Sequence, residues 1–218
     1  MGNQIILREG FTCTAHTGCM GTESNSLESI DVGVQYGADI IEFDLNFTRD
    51  GTPVLSHDTP EGNEITLDEA FRKIASIENL RVNVDVKKTK NLEAVKPLAQ
   101  KYGILDRIFY TGIDKKMVED AKIKSPDVPY FLNTRVRKRQ DAKYLAKLVR
   151  KVHDCGAIGI NFNKDNATKK LVDFFHENGL LVSIWTADIE EDILRLLSYS
   201  PDNITTRRPD TLTAILKK

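Results

Sequence analysis

Residues 157–186 read AIGINFNKDNATKKLVDFFHENGLLVSIWT, and the predicted architecture follows from their pattern. Two short apolar runs, Ala157–Asn163 and Leu181–Thr186, have the length of buried strands. Between them, residues 167–178 carry an apolar stripe at helical spacing, and Asn178-Gly179 supplies a helix stop. The stretch therefore predicts a strand, a helix and a second strand in succession, which is typical of a parallel sheet.

The same alternation runs through the whole chain of 218 residues. The predicted strands are Phe11–Ala15, Asp39–Asn46, Arg81–Lys87, Arg107–Thr111, Val128–Leu132, Ala157–Asn163, Leu181–Thr186 and Asn203–Thr206. The predicted helices lie near residues 26–36, 67–77, 91–102, 115–124, 139–154, 167–178, 188–198 and 209–217. Asn25 with Glu28, and Thr66 with Glu69, fit capping boxes that open the first two helices.

Eight strand–helix units in so short a chain predict an α/β protein, a compact (β/α)₈ TIM barrel that forms one domain over residues 1–218. The alternative is a doubly wound open sheet, which normally uses fewer strands. No Gly-x-Gly-x-x-Gly follows the first strand, which disfavours the dinucleotide-binding form of that sheet.

The composition excludes several classes of protein. Lys and Arg number 31 against 32 Asp and Glu, so the balance lacks the basic footprint of a nucleic-acid-binding protein. No apolar run approaches the roughly 18 residues that a membrane span needs. The start, MGNQIILREG, lacks the pattern of a secretory signal, and the three cysteines are too few for a disulfide scaffold. We therefore expect a soluble cytoplasmic protein.

Polar side chains lie at the predicted strand ends, where barrels of this kind hold their active sites. Because strand side chains alternate, Glu42 and Asp44 point to one face of the second strand. On the third strand Asp85 and Lys87 share a face in the same way. Three converging carboxylates repel each other unless a cation or a proton offsets them, and an all-oxygen cluster suits Mg²⁺ or Ca²⁺. The structural alternative for Asp85 and Lys87 is an ion pair without a catalytic role.

Two of the four histidines are placed to join this cluster. The first strand ends at His16. Asp50-Gly51 predicts a two-residue hairpin turn that leaves the barrel rim and returns His57 to the mouth. One imidazole that takes a proton and another that gives one, beside a cation and a lysine, suit phosphoryl chemistry.

Several motifs in this order resemble the glycerophosphodiester phosphodiesterase family. They are His16-Thr17-Gly18, Ser24-Asn25-Ser26-Leu27, Gly37-Ala38-Asp39-Ile40-Ile41-Glu42-Phe43-Asp44, Asp50-Gly51-Thr52-Pro53-Val54, His57-Asp58, Asn83-Val84-Asp85-Val86-Lys87, Trp185-Thr186 and Thr206-Arg207-Arg208-Pro209-Asp210. The likeness spans nearly the whole chain.

The resemblance implies a TIM barrel that hydrolyses glycerophosphodiesters to an alcohol and sn-glycerol 3-phosphate with a divalent cation. It makes Glu42, Asp44 and Asp85 the metal ligands and His16 and His57 the general acid–base pair. Lys87 would contact the phosphate. Trp185, which ends the seventh strand, is either core or an apolar wall of the pocket.

The chain also departs from the family pattern. Thr17 is a candidate phosphate-binding residue, but it stands where the family has an arginine, which removes a bidentate phosphate contact. Asp85 replaces a glutamate and Ser24 replaces the glutamate of Glu-Asn-Thr. Arg207 occupies an aspartate position, so Arg207 or Arg208 is a candidate replacement for the missing arginine.

The preferred interpretation is therefore a metal-dependent phosphodiesterase whose partner is a small-molecule glycerophosphodiester, with neither nucleic acid nor an integral membrane association. The first alternative is a related phosphodiesterase acting on a lysophospholipid or a phosphoinositol-type diester. The second is a barrel that has lost turnover and binds a phosphorylated ligand. The segment after His57 is short, which predicts an open mouth without an inserted lobe.

Overall fold

The structure is a computed structural model that describes residues 8–217. Within that range nine strands form one sheet. They are β1 (Thr12–Ala15), β2 (Ile40–Phe47), β3 (Pro53–Leu55), β4 (Arg81–Val86), β5 (Ile108–Thr111), β6 (Phe131–Asn133), β7 (Gly159–Asn163), β8 (Leu181–Trp185) and β9 (Asn203–Thr206). The α-helices are α1 (Leu27–Gln35), α2 (Leu67–Ala75), α3 (Val95–Lys101), α4 (Val118–Lys124), α5 (Ala142–Cys155), α6 (Lys169–Glu177), α7 (Glu190–Leu197) and α8 (Pro209–Leu216).

Eight of these strands are parallel and form a nearly closed barrel with the helices outside. Their order is β5-β4-β2-β1-β9-β8-β7-β6, and a parallel bridge between Tyr110 and Tyr130 joins the two ends of this path. The predicted (β/α)₈ barrel is therefore confirmed, because an open sheet would leave β5 and β6 unconnected. Only β3 runs antiparallel, paired to the second half of β2.

The barrel has an apolar shell and a layered interior. Outward-facing residues such as Ile41, Phe43 and Val84 pack under the helices in the main core. Inside, Ile40, Phe109 and Phe131 form a separate apolar cluster near the amino ends of their strands. One or two layers further along the same inward faces the side chains become polar. The apolar plug thus closes one end of the barrel and leaves the carboxyl ends of the strands to hold the site.

The turn after β2 is wider than predicted. Leu45 pairs with Leu55 and Phe47 with Pro53, so the hairpin forms as expected. Its loop spans residues 48–52, closed by a hydrogen bond from the Thr48 hydroxyl to Asp50 and by another from Thr48 N–H to Thr52 C=O at 3.0 Å. The prediction of a two-residue turn was wrong, because the short side chains of the loop satisfy the backbone in a longer one.

The capping box predicted from Asn25 and Glu28 was also wrong. Ser26 caps α1 by accepting a hydrogen bond from Ser29 N–H, and Asn25 has a left-handed backbone (φ 60°) outside the helix. The second predicted box, Thr66 with Glu69, is confirmed at the start of α2. In the predicted helix 91–102, the first turn is a 3₁₀ segment and the α-helix begins only at Val95.

Within residues 8–217, no helix combines the length and apolar composition needed to cross a membrane. Cys13, Cys19 and Cys155 are all free and buried. The cytoplasmic location stays a prediction.

Candidate active site

A cavity of about 600 Å³ opens at the carboxyl ends of the barrel strands. Eight of the nine site residues predicted from the sequence line it: His16, Glu42, Asp44, His57, Asp85, Lys87, Trp185 and Arg207. Residues from β2, β4 and β8 and from the segments that follow β1, β3, β4 and β9 are thereby brought to one place, which no local segment of sequence could achieve.

Strand register assembles the three carboxylates. Glu42 is opposite Asn83, and Asp44 is opposite Asp85, so the acidic side chains of β2 and β4 lie side by side. One oxygen from each of Glu42, Asp44 and Asp85 lies within 4.8 Å of the others. Glu42 and Asp44 are each only 4% exposed. The three carboxylates therefore form an acidic cluster inside the barrel, unlike the exposed acidic groups that are common on protein surfaces.

Neighbouring backbone and amide groups fix two of these carboxylates. Thr17 N–H donates to Glu42 Oε2 at 2.8 Å. Asn25 binds Asp44 twice: its Nδ2 donates to Asp44 Oδ2 at 2.9 Å, and its Oδ1 accepts from Asp44 N–H at 2.9 Å. Sequence reasoning interpreted Asn25 as a helix cap and missed this contact. Its place in the Ser24-Asn25-Ser26-Leu27 motif, beside the other site motifs, was the available signal.

Lys87 lies between the two aspartates. Its Nζ is 2.7 Å from Asp44 Oδ1 and 2.5 Å from Asp85 Oδ2, and Thr111 donates to the other oxygen of Asp85 at 2.9 Å. Burial opposes the charge on Lys87, but Asp85 and Asp44 outweigh it and raise the pKa of the ammonium group. Lys87 therefore stays charged across the physiological pH range.

The cluster is short of positive charge. Burial, reinforced by Asp44 and Asp85, raises the pKa of Glu42 well above its usual value. With all three carboxylates ionised, Lys87 leaves a net charge of −2, which a divalent cation would offset. Each carboxylate oxygen keeps lone pairs beyond its present hydrogen bonds, and an all-oxygen set suits a hard cation. The residues present therefore fit a divalent metal ion.

His16 is held in a defined orientation at the end of β1. Its Nδ1 is 2.9 Å from the carbonyl oxygen of Thr17 and 3.5 Å from Glu42 Oε2. Since both oxygens accept, the geometry places the proton on Nδ1 and leaves Nε2 with a free lone pair. Burial is the main cause that lowers the pKa of the His16 imidazole, so the neutral form is favoured.

His57 reaches the cavity on the segment after β3, beside β2. Its side chain is 68% exposed, and its Nδ1 is 3.1 Å from Asp58 Oδ1. The Ser56 N–H, one residue earlier, donates to the carbonyl oxygen of Asp44 at 3.0 Å. The hairpin is thus tied to β2 immediately beside the acidic cluster, which places His57 at the rim.

Two arginines follow β9, and only one lines the cavity. Arg207 lines it and pairs with Asp188 at 3.2 Å. Arg208 makes a two-point contact with Asp210, at 2.9 and 2.8 Å, and is not among the lining residues. The geometry therefore separates the two candidates that the sequence left open.

Thr17 is the predicted site residue that does not line the cavity. It is 3% exposed, and its hydroxyl oxygen accepts the backbone N–H of Asn25. Its N–H holds Glu42, so its contacts run to the residues that support the acidic cluster. The structure thus places its side chain behind the cluster, and a direct contact with phosphate stays a prediction.

A sequence model of the glycerophosphoryl diester phosphodiesterase family matches residues 15–80 and 62–211. These two matches together take in β2 to β9 and α1 to α7. The chain belongs to this family. The family's strand-end motifs are therefore present in this chain both in sequence and at one cavity.

Relatives of the family cover the chain almost completely. A glycerophosphodiester phosphodiesterase from Caldanaerobacter subterraneus subsp. tengcongensis is 24% identical, over 94% of this chain and 97% of its own length. A solved glycerophosphoryl diester phosphodiesterase structure from Silicibacter pomeroyi superposes with a TM-score of 0.81 at 18% identity, covering 98% of this chain and 95% of that one. A phosphodiesterase from Oleispira antarctica, solved in complex with the product sn-glycerol-3-phosphate, superposes with a TM-score of 0.79 at 18% identity, covering 95% of this chain and 97% of that one. At these identities the structural likeness shows the fold.

In this phosphodiesterase-family site, Asn25 offers a direct test of how the cluster is held. Replacing Asn25 with alanine should weaken binding of Mg²⁺ or Ca²⁺ by about 10- to 100-fold, because Asp44 loses the partner that orients it. Metal titration followed by calorimetry measures this. Asn178→Ala, a change on the exposed end of α6, is the matched control and should leave metal affinity unchanged. Equal affinity in the Asn25 variant and the wild type would show that Asp44 needs no such support.

Proposed function

We propose that this chain is a metal-dependent glycerophosphodiester phosphodiesterase that releases an alcohol and sn-glycerol 3-phosphate. The observation that carries the proposal is the single cavity in which three carboxylates, a paired lysine and two histidines converge, in a member of this family. Hydrolysis of such a diester with a metal ion needs a site for the cation, a site for the phosphate and two groups that move protons. This cavity has residues of each type.

A bound divalent cation would offset the charge of the cluster and of the phosphate, and it would polarise the phosphorus–oxygen bonds. Glu42, Asp44 and Asp85 would hold Mg²⁺ or Ca²⁺. Lys87, whose ammonium faces the same cavity, would pair with a phosphate oxygen in addition to Asp44 and Asp85.

We assign the first proton transfer to His16, because its Nε2 carries the free lone pair. His16 Nε2 takes the proton of the glycerol 2-hydroxyl as that oxygen forms a bond to phosphorus. The bond from phosphorus to the alcohol oxygen breaks, and His57 gives its proton to the leaving alcohol. The product of this step is a cyclic glycerol phosphate.

The second step reverses the roles. Water adds to phosphorus, the bond to the 2-oxygen breaks, and sn-glycerol 3-phosphate is left. His57, now neutral, takes a proton from the water, and His16 returns its proton to the 2-oxygen. Both histidines end in the state in which they began, so the site is ready for another turnover.

The structure favours Arg207 as the residue that replaces the family arginine missing at Thr17. Replacing Arg207 with glutamine should raise KM for glycerophosphocholine by about tenfold with a smaller change in kcat, the loss expected for one charge-assisted hydrogen bond to phosphate. Steady-state kinetics at saturating metal measure both constants. Arg208→Gln is the matched control, since its side chain pairs with Asp210 away from the cavity. Equal KM values for the two variants would remove Arg207 from the phosphate site.

A substrate panel separates the proposal from its alternatives. Purified protein is incubated with Mg²⁺ or Ca²⁺ and with glycerophosphocholine, lysophosphatidylcholine or glycerophosphoinositol, and glycerol 3-phosphate is measured enzymatically. Release from glycerophosphocholine supports the proposal. Turnover of lysophosphatidylcholine alone would assign a different phosphodiesterase activity, and metal binding without turnover of any diester would assign a binding protein.

A further inference from the structure

The chain's near-zero net charge hides a strongly basic segment. Residues 135–151 contain eight Lys and Arg and one Asp, within a chain whose formal net charge is −1. The rest of the chain therefore carries a net charge of −8, against +7 in this segment. The segment comprises the loop after β6 and most of α5. The proposed hydrolysis at the acidic cluster makes no use of this charge.

Six of these eight basic residues line a groove between α4 and α5 on the outer side of the barrel, with a volume of about 880 Å³. We call it the basic groove. Its charged lining consists of Lys115, Arg135, Arg137, Lys143, Lys147, Arg150 and Lys151, with Glu119 and Asp154 as the acidic members. Lys115 and Arg135 come from loops at the carboxyl ends of β5 and β6, so the groove begins at the barrel mouth.

The positive charge of the groove is left without acidic partners. Elsewhere in residues 8–217, many Lys and Arg side chains pair with carboxylates, as Lys73 does with Asp31 and Lys164 with Asp192. Over that same range, none of the seven basic lining residues forms such an ion pair. Like charges gathered without counter-charges cost free energy unless an anion binds among them.

Two of these side chains are held in place by neutral groups. Lys151 Nζ donates to the Thr134 hydroxyl at 2.8 Å, which joins α5 to the loop after β6. The guanidinium carbon of Arg137 lies 5.7 Å from the centre of the Tyr144 ring, and the Tyr144 hydroxyl accepts the backbone N–H of Arg137 at 3.0 Å. These contacts order the side chains and leave their charges available for an anion.

The basic groove is continuous with the catalytic cavity. A side pocket of about 400 Å³ lies between them. It shares Asn133 and Trp185 with the catalytic cavity, and it shares Thr134 and Arg135 with the basic groove. A ligand group that leaves the catalytic cavity past Trp185 therefore enters a pocket lined by Arg135 and Asp165, and the α5 lysines lie in the basic groove beyond it.

We propose that the basic groove binds the alcohol half of the substrate, and that this alcohol carries additional anionic groups such as phosphate monoesters. This inference rests on the proposed function, because it assigns the glycerophosphate half to the acidic cluster and the leaving alcohol to the groove. Arg135 is the first contact for an anionic group on the alcohol, and Arg137 with Lys143 and Lys147 extends the site along α5. The substrate class is thus a glycerophosphodiester of a polyanionic alcohol.

Acidic residues on the opposite side of the barrel mouth favour such a ligand over an anionic membrane surface. The loops after β1, β2 and β3 lie across the barrel from β6 and carry the exposed carboxylates Glu23, Asp50, Asp58 and Glu61. A flat anionic surface that reached the basic groove at the mouth would also meet these acidic loops and be repelled. A ligand that leaves the cavity on one side only avoids them.

The test compares substrates whose alcohol is the same inositol with an increasing number of phosphate groups. The kcat/KM is measured at low salt for glycerophosphoinositol, its 4-phosphate and its 4,5-bisphosphate, with glycerophosphocholine as the reference substrate. The kcat/KM of the wild type should be at least about tenfold higher for the 4,5-bisphosphate than for glycerophosphoinositol, which is the contribution expected from one charge-assisted hydrogen bond. This difference should shrink at higher salt, because salt screens the exposed charges. Arg135→Gln and the double variant Arg137→Gln/Lys147→Gln should lose most of it while keeping the rate on glycerophosphocholine.

The matched control is Arg139→Gln, on the same loop, since Arg139 is 92% exposed, pairs with Asp141 and does not line the groove. The inference is overturned if the wild type shows no preference for the more highly charged substrates, or if Arg139→Gln and Arg135→Gln reduce that preference equally. In either case, turnover of glycerophosphocholine would still support the proposed function. If no diester is turned over, the proposed function fails, and calorimetry with inositol 4,5-bisphosphate, the alcohol alone, then decides whether the groove binds it. The inference is overturned if the wild type and Arg135→Gln bind inositol 4,5-bisphosphate with equal affinity. It is also overturned if the protein binds phosphatidylglycerol vesicles but not this alcohol.

Discussion

Replacing His16 with alanine is expected to lower kcat for glycerophosphocholine by about two to four orders of magnitude, the usual range for loss of a general acid or base. The Nδ1 atom of His16 contacts the Thr17 carbonyl oxygen, so Nε2 is the atom left available for the proposed proton transfer. Alanine removes that acceptor without touching the three carboxylates. Metal affinity should therefore stay close to the wild-type value while kcat falls.

His57→Ala should reduce kcat over the same range, through loss of the proton given to the alcohol. A substrate whose leaving group is far more acidic than glycerol, such as a nitrophenol, needs no such proton. His57→Ala should therefore recover much of its rate on the nitrophenyl diester of glycerol phosphate, whereas His16→Ala should not. His153→Ala, a change of an exposed histidine on α5, is the control. Wild-type rates in either active-site variant would falsify the role assigned to that histidine.

The second large effect is expected from the acidic cluster. Asp44→Asn should lower metal affinity and kcat/KM by more than about 100-fold, since even loss of a residue that only orients a metal ligand costs 10- to 100-fold. The substitution also removes one of three mutually repelling charges beside Lys87, so the variant should remain folded without metal. Added Mg²⁺ or Ca²⁺ should raise the Tm of the wild type but leave that of Asp44→Asn nearly unchanged, because a ligand stabilises only the folded state that binds it.

Two further variants show whether this loss is specific. Asp173→Asn, at an exposed position paired with Lys169, should behave as the wild type. Asp85→Glu restores the residue that the family pattern has at this position, and it should retain metal-dependent activity within about tenfold of the wild type. An inactive Asp85→Glu together with a fully active Asp44→Asn would show that the cluster is a structural ion network.

The barrel could be predicted because its signals are local. Apolar runs of strand length alternate with helical stripes along the chain, and one strand–helix–strand unit at residues 157–186 already contains the repeat. Side-chain alternation then places Glu42 beside Asp44 on one face of β2. Their meeting with Asp85 followed from the rule that barrel sites lie at the carboxyl ends of strands. The register in which Asp44 pairs with Asp85 confirmed that step.

The features that could not be predicted depend on contacts between distant segments. Asn25 has the residue type and position of a helix cap, and only the approach of α1's leading loop to β2 shows that it holds Asp44. Arg207 and Arg208 are adjacent in sequence, and only the structure shows that Arg207 lines the cavity while Arg208 pairs with Asp210. The basic segment at residues 135–151 can be read from the sequence once charge is counted locally, but only the fold shows that it lines one groove together with Lys115.

The most direct test of metal-dependent phosphodiester hydrolysis is a chelation experiment on one sample. Release of glycerol 3-phosphate from glycerophosphocholine is followed before chelation, after metal removal with EDTA and gel filtration, and after Mg²⁺ or Ca²⁺ is added back. The account predicts that release falls by at least about 100-fold on chelation and returns with one of the two cations, while Asp44→Asn stays inactive throughout. Undiminished release from the metal-free protein would contradict it.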